Sequence, residues 1–133
     1  MIAFDTNTLI RMLIEDDAVQ AKIVEGIVNR VEDNAGQILL MSEVLIETVW
    51  VLESIYQCSR SEIFNFLDTL ASTSTFSLSD PFAIRTAISQ YKKGGDFADL
   101  VIVNQAKRLQ ANALVSFDKK LQKKYPGFVV ETL

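Results

Sequence analysis

Five carboxylates in this 133-residue chain stand where chemistry is possible: Asp5, Glu47, Asp96, Asp99 and Asp118. Asp5 closes a short apolar run in MIAFDTNTLI, Asp96 and Asp99 lie three apart in GGDFADLVIVNQ, and Asp118 follows LVSF. Glu47 is the one charge between Glu43 and Glu53, in an apolar stretch that places Val44, Val51 and Ile55 on its side of a helix. A carboxylate in such surroundings is costly unless something pairs with it. The composition narrows what that partner is. The chain has no histidine and a single cysteine, Cys58. That removes Ser-His-Asp and Cys-His catalysis, imidazole acid–base chemistry, thiolate cages and histidine-held zinc. Carboxylates gathered about 4 Å apart repel by roughly 4 kcal/mol per pair at an effective dielectric of about 20. Oxygen-only ligands select a hard divalent ion, Mg2+ or Mn2+. A metal held by these acids is the chemistry that the residue types predict.

Each acid taken singly also has a local explanation. Asp5, Asp96 and Asp118 stand where a turn or helix cap belongs, Asp99 falls in a first helical turn, and Glu47 can be salt-bridged or reach solvent. Their convergence depends on the elements that carry them. Ile2–Phe4 reads as a strand, with Thr6 or Asn7 capping a helix to Leu13 or Ile14. Asp17 caps a helix to about Asp33, stopped by Asn34-Ala35-Gly36. Gln37–Met41 reads as a strand, Ser42 caps a helix to about Tyr56, and Ser59 with Glu62 forms a capping box for a helix to about Ala71. After a strand at Thr75–Leu78, Asp80-Pro81 starts a helix that ends at Gly94-Gly95. Asp96 caps the next helix, to about Gln110. Ala113–Phe117 is a strand, Asp118 caps a brief basic helix, and Phe128–Val130 is the last strand.

Strands alternating with helices predict an α/β fold with a mainly parallel sheet, whose ligand crevice lies beyond the carboxyl ends of the strands. That places all five acids at one edge. With 49% hydrophobic residues and no low-complexity run, residues 1–133 read as one ordered domain. No stretch is long and apolar enough to span a bilayer and no signal peptide is evident, so a cytoplasmic protein without membrane contact is expected. Trp50, Tyr56, Phe64 and Phe66 fall at helical spacings typical of core or interface, with the core the favoured expectation. The net charge is −4, yet nine of the thirteen basic residues lie between Arg85 and Lys124. Lys119, Lys120, Lys123 and Lys124 follow Asp118, Lys92 and Lys93 precede the GGDFAD loop, and Arg11 lies one short helix beyond Asp5. Arg11, Lys92, Lys93, Lys119 and Lys120 are candidate phosphate contacts.

FDTNTLIR, SEVLIETVWVL with its lone Glu47, DFADLVI and SFD, in this order and spacing, closely resemble the PIN domain, and within it the VapC-type toxin ribonucleases of bacterial toxin–antitoxin pairs. The resemblance covers essentially the whole chain. It implies a three-layer α/β/α PIN-like fold with a mainly parallel central sheet. It also implies an acidic pocket of Asp5, Glu47, Asp99 and Asp118, with Asp96 as a nearby fifth acid and Asp5 and Asp99 as leading metal ligands. Thr6 and Asn7 would order the first loop, and Ser116 stands where the family has Thr or Ser. The implied activity is Mg2+- or Mn2+-dependent endoribonuclease cleavage, with RNA as substrate, a VapB-like antitoxin as partner and a homodimer as assembly. The alternatives are a non-catalytic PIN-like binding module, or a PIN nuclease acting on another nucleic acid outside a toxin–antitoxin pair. A phosphoacceptor receiver domain fits less well, because Asp5 has no paired acid before it.

Overall fold

A computed structural model describes residues 1–133. Strands β1 (Ile2–Ala3), β2 (Ile38–Leu40) and β3 (Phe76–Leu78) form a sheet in that order, every pair parallel. Ile2 is in register with Ile38, and Ile38 with Phe76. Parallel neighbours need a crossover, and helices supply each one. α1 (Thr6–Leu13) and α2 (Ala18–Asp33) join β1 to β2, while α3 (Ser42–Ser54) and α4 (Arg60–Ser72) join β2 to β3. α5 (Pro81–Tyr91) and α6 (Phe97–Arg108) then lead to β4 (Leu114–Val115), and α7 (Lys119–Lys124) connects β4 to β5 (Val129–Val130). β4 and β5 pair in parallel as a separate two-stranded sheet. The expected parallel sheet is therefore present in two hydrogen-bonded pieces. No helix is long and apolar enough to cross a membrane.

Packing repeats that division. The main core gathers the β2 residues Ile38 and Leu40 with Leu9, Leu52, Leu67, Tyr91 and Phe97, all essentially inaccessible to solvent. A second, small cluster holds only Val103 from α6, Leu121 from α7 and Val129 from β5. The first is large enough to define a fold by burial of apolar surface; the second fastens the C-terminal unit to one face of α6.

Most helix starts are those that the sequence predicts. Asp17 accepts the amide of Gln20 at 3.0 Å, Asp80 that of Ala83 at 3.2 Å, and Ser59 and Glu62 close a reciprocal capping box. Two differ. α1 is capped by Asp5, whose carboxylate accepts the Thr8 amide, and not by Thr6 or Asn7. α3 begins at Ser42 with Met41 at the cap position and no side-chain cap. There the Ser42 amide is satisfied by Ser79 Oγ at 3.0 Å, which ties α3 to the end of β3. The aromatic expectation also needs correction. Trp50 is 60% exposed, and Tyr56, Phe64 and Phe66 are only partly buried at the edge of the core. α3 is apolar on more than one side, and it turns Leu45, Val49 and Leu52 inward, leaving Trp50 about 100° round the helix from Val49.

Candidate active site

The five acids reach the surface from the starts of helices and from one helix interior, but they do not share one cavity. Asp96 caps α6 and accepts the amide of Asp99, one turn further on, at 3.1 Å. Asp118 caps α7, accepting the amides of Lys120 at 3.0 Å and Leu121 at 3.1 Å. These three carboxylates line a cavity of about 520 Å³ together with Glu53, Arg60, Lys120 and Lys124. Glu47 lies in an adjoining groove of about 310 Å³ on α3 and α6, beside Trp50 and Phe97, and Asp96 and Glu53 belong to both spaces. Asp5 lines a separate groove of about 280 Å³ with Asn7, Thr8, Arg11 and Gln20. One bond joins the Asp5 loop to Glu47: the buried Thr6 hydroxyl donates to the Glu47 carboxylate. Glu47 is itself exposed, on the groove side of α3, and not set in the apolar face that its neighbours suggest.

Electrostatics distinguish the acids. Burial pushes the Asp99 carboxyl above its usual value, and the charges of Asp96 and Asp118 push it further, with Lys124 partly opposing them. Asp5 moves the other way. The backbone and hydroxyl of Thr8 both hydrogen-bond its carboxylate, at 2.9 and 2.7 Å, and hold it below the usual range. Asp99 is thus the acid whose negative surroundings are only partly compensated, and Asp5 the one already satisfied.

The basic residues also separate. Lys120 lines the acidic cavity. Lys119 instead pairs with Glu131 at 2.5 Å, and Lys92 lies 5.0 Å from the Phe64 ring in a different depression. Arg11 is held by Asp16 at 2.8 Å and by Gln20 at 2.7 Å, beside the Asp5 groove, and Lys93 is exposed at the end of α5. Ser116 Oγ accepts the amide of Asp118 at 3.1 Å and so shapes the turn into α7. Asn7 is exposed beside Asp5, whereas Thr8 satisfies it. Three residues escape the sequence reading. Thr8 and Glu53 have no distinguishing local pattern. Arg60 has only a faint one, as the sole basic residue between Arg30 and Arg85.

The donor set suits a hard divalent cation: every candidate ligand is a carboxylate oxygen, and Asp96, Asp99 and Asp118 concentrate charge that such an ion would offset. As the side chains stand, no three acids, histidines or cysteines are grouped closely enough to hold one ion. Asp5, Asp96 and Asp118 each already spend an oxygen on a helix cap.

A parallel α/β fold with acids at the first strand end and at the starts of its last two helices defines the class. The chain belongs to the PIN domain family, whose sequence profile matches residues 2–126. It is 27% identical over 124 residues to a VapC ribonuclease of Aquifex aeolicus (strain VF5), an alignment covering 92% of this chain and 91% of that protein. No solved structure gives a significant match.

Proposed function

We propose that this PIN-domain chain is a divalent-metal-dependent endoribonuclease of the VapC type, with residues 1–133 as one catalytic domain. The observation that carries the proposal is Asp99: a half-buried carboxylate facing Asp96 and Asp118 in one cavity, in a chain similar to a VapC ribonuclease. Asp96, Asp99 and Asp118 would hold the ion, with Glu47 joining from the adjoining groove and Asp5 from its separate one. A bound Mg2+ or Mn2+ supplies positive charge to a phosphodiester and lowers the pKa of water, which a chain without histidine needs. Lys120 sets a cation beside those acids, where it can engage a phosphate flanking the scissile bond. Thr6 holds Glu47 toward that edge. A VapB-like antitoxin as inhibitory partner, a homodimeric assembly and a cytoplasmic location complete the proposal.

The separation of the acids favours one second reading, a non-catalytic PIN-like binding module that uses the same rim for a partner. Incubating the purified protein with total small RNA in Mg2+, Mn2+ and EDTA, with Asp99→Asn in parallel, decides between them. Discrete cuts that need metal and vanish in the variant are expected for the nuclease. Metal binding without any cutting would favour the binding module.

A further inference from the structure

Arg60 reaches from the first turn of α4 to the loop that precedes α6. Its Nη1 donates to the carbonyls of Tyr91 at 2.9 Å and Gly95 at 2.8 Å, and its guanidinium carbon lies 4.3 Å from the centre of the Tyr91 ring. That ring is itself fixed. Tyr91 is fully buried, its hydroxyl donates to Glu53 at 2.7 Å, and it meets Phe97 edge-on with ring centres 5.7 Å apart. From the other side of the loop, Lys124 Nζ donates to the Gly94 carbonyl at 3.1 Å. Two cations thus grip consecutive carbonyls.

Those carbonyls belong to glycines with φ of 137° and 100°, a region that residues with a Cβ rarely adopt. A Cβ at Gly95 would meet Lys124 Nζ, the free end of a flexible side chain, and so would displace the lysine from the turn. Gly95 immediately precedes Asp96, which holds the Asp99 amide, and Lys124 ends the helix that Asp118 caps. The two walls of the acidic cavity are rooted differently, although Val103 of α6 also packs against the small cluster. Phe97 and Leu100 root the start of α6 in the main core, whereas Leu121 roots α7 in the small one.

We propose that Arg60 and Lys124 act together as a brace across Gly94–Gly95, setting the spacing between the Asp96–Asp99 pair and Asp118. Both are positioning residues, and the proposal rests on the reading of that cavity as the active site. Like charges on the two walls push apart, and two cations bonded to the same turn, Arg60 from α4 in the main body and Lys124 from α7, oppose that spreading.

The test uses the full chain as Arg60→Met, Arg60→Lys and Lys124→Met, with Asp99→Asn as control. In EDTA, amide hydrogen exchange across Gly95–Leu100 is expected to quicken about fivefold in each methionine variant, with partial recovery in Arg60→Lys. On a short fluorogenic RNA spanning a mapped cut site, kcat is expected to fall tenfold or more, with KM changed less than about twofold. Unchanged exchange and unchanged kcat in the methionine variants would overturn the brace. A raised KM with ordinary exchange would overturn it too, making the pair RNA contacts. If Arg60→Met does not fold, Lys124→Met and Arg60→Lys carry the decision. Should Asp99→Asn cut as well as the parent chain, the active-site reading fails, and the exchange rates alone decide the brace.

Discussion

The main body and the C-terminal unit are held together by very different amounts of packing, and the acidic cavity straddles them. The first buries residues from two strands and six helices, with Phe4 just after β1, in one continuous core. The second, β4–α7–β5, rests on Val103, Leu121 and Val129, with two-residue strands and a six-residue helix. Asp96 and Asp99 stand at the start of α6, rooted in the first, and Asp118 caps α7, rooted in the second. A site built across such a seam gains adjustable spacing at the expense of intrinsic rigidity, since local opening follows local contact density. The polar ties across the seam are few: Lys124 to Gly94, Tyr125 to Gln90 at 3.4 Å, and the Lys107 ammonium 5.2 Å from the centres of the Tyr125 and Phe128 rings.

The largest effects should separate the two regions outright. Leu67→Ala removes a fully buried side chain from the main core and should cost about 3 kcal/mol of global stability, leaving cleavage intact at a temperature where the protein stays folded. Leu121→Ala should cost about 2 kcal/mol or less in thermal unfolding, yet depress cleavage strongly because it loosens the wall that carries Asp118. Equal loss of activity in both, at matched fraction folded, would remove the distinction.

Next comes the charge at the seam. Asp99→Asn should lower cleavage at least a hundredfold and, in EDTA, raise the melting temperature by on the order of 3 °C, because it removes a half-buried charge facing two others. A lower melting temperature in EDTA would contradict the electrostatic reading.

The pH response should carry opposite signs at Asp99 and Asp5. The folded state holds the Asp99 proton more tightly than the unfolded chain does. Its contribution therefore falls as pH rises from the ordinary 3.8 through the higher folded value. Asp5 is depressed when folded, so its contribution is full above 3.8 and fades as pH falls through the lower folded value. Urea unfolding in EDTA should accordingly show the advantage of Asp99→Asn growing between pH 4 and pH 7. Asp5→Asn, which keeps the cap but loses the charge, should show a deficit that shrinks on acidification. Parallel pH profiles for the two variants would break the contrast.

The smallest expected difference lies between adjacent lysines. Lys120→Ala should reduce RNA affinity and the salt slope by about one unit, since its side chain lines the acidic cavity. Lys119→Ala should change either one little, because Glu131 already pairs that charge on an exposed surface. Equal salt slopes would place both lysines on the same phosphate path.

What the sequence made legible was local. Asp17, Ser59 with Glu62, Asp80-Pro81, Asp96 and Asp118 start the helices expected of them, because a cap is decided within four residues. Alternation of strands and helices sufficed for parallel pairing. What it left hidden depends on distant partners. Arg60 matters through Tyr91 and Gly95, more than thirty residues away in sequence. Trp50 lies in a helix that is apolar nearly all round, so periodicity could not say which side faces water. The acids were expected at one edge; three line one cavity, Glu47 an adjoining groove and Asp5 a separate one, and no spacing rule records that division.

The central claim is that Asp99 and Asp118, from opposite sides of the seam, serve one cation. Mn2+ titrated into the metal-free protein, followed by the loss of its free-ion paramagnetic resonance signal, tests that directly in the parent chain, Asp99→Asn and Asp118→Asn. Saturable binding in the parent that weakens at least tenfold in both variants is the expected result. Undiminished binding in either variant would show that the two walls do not share an ion.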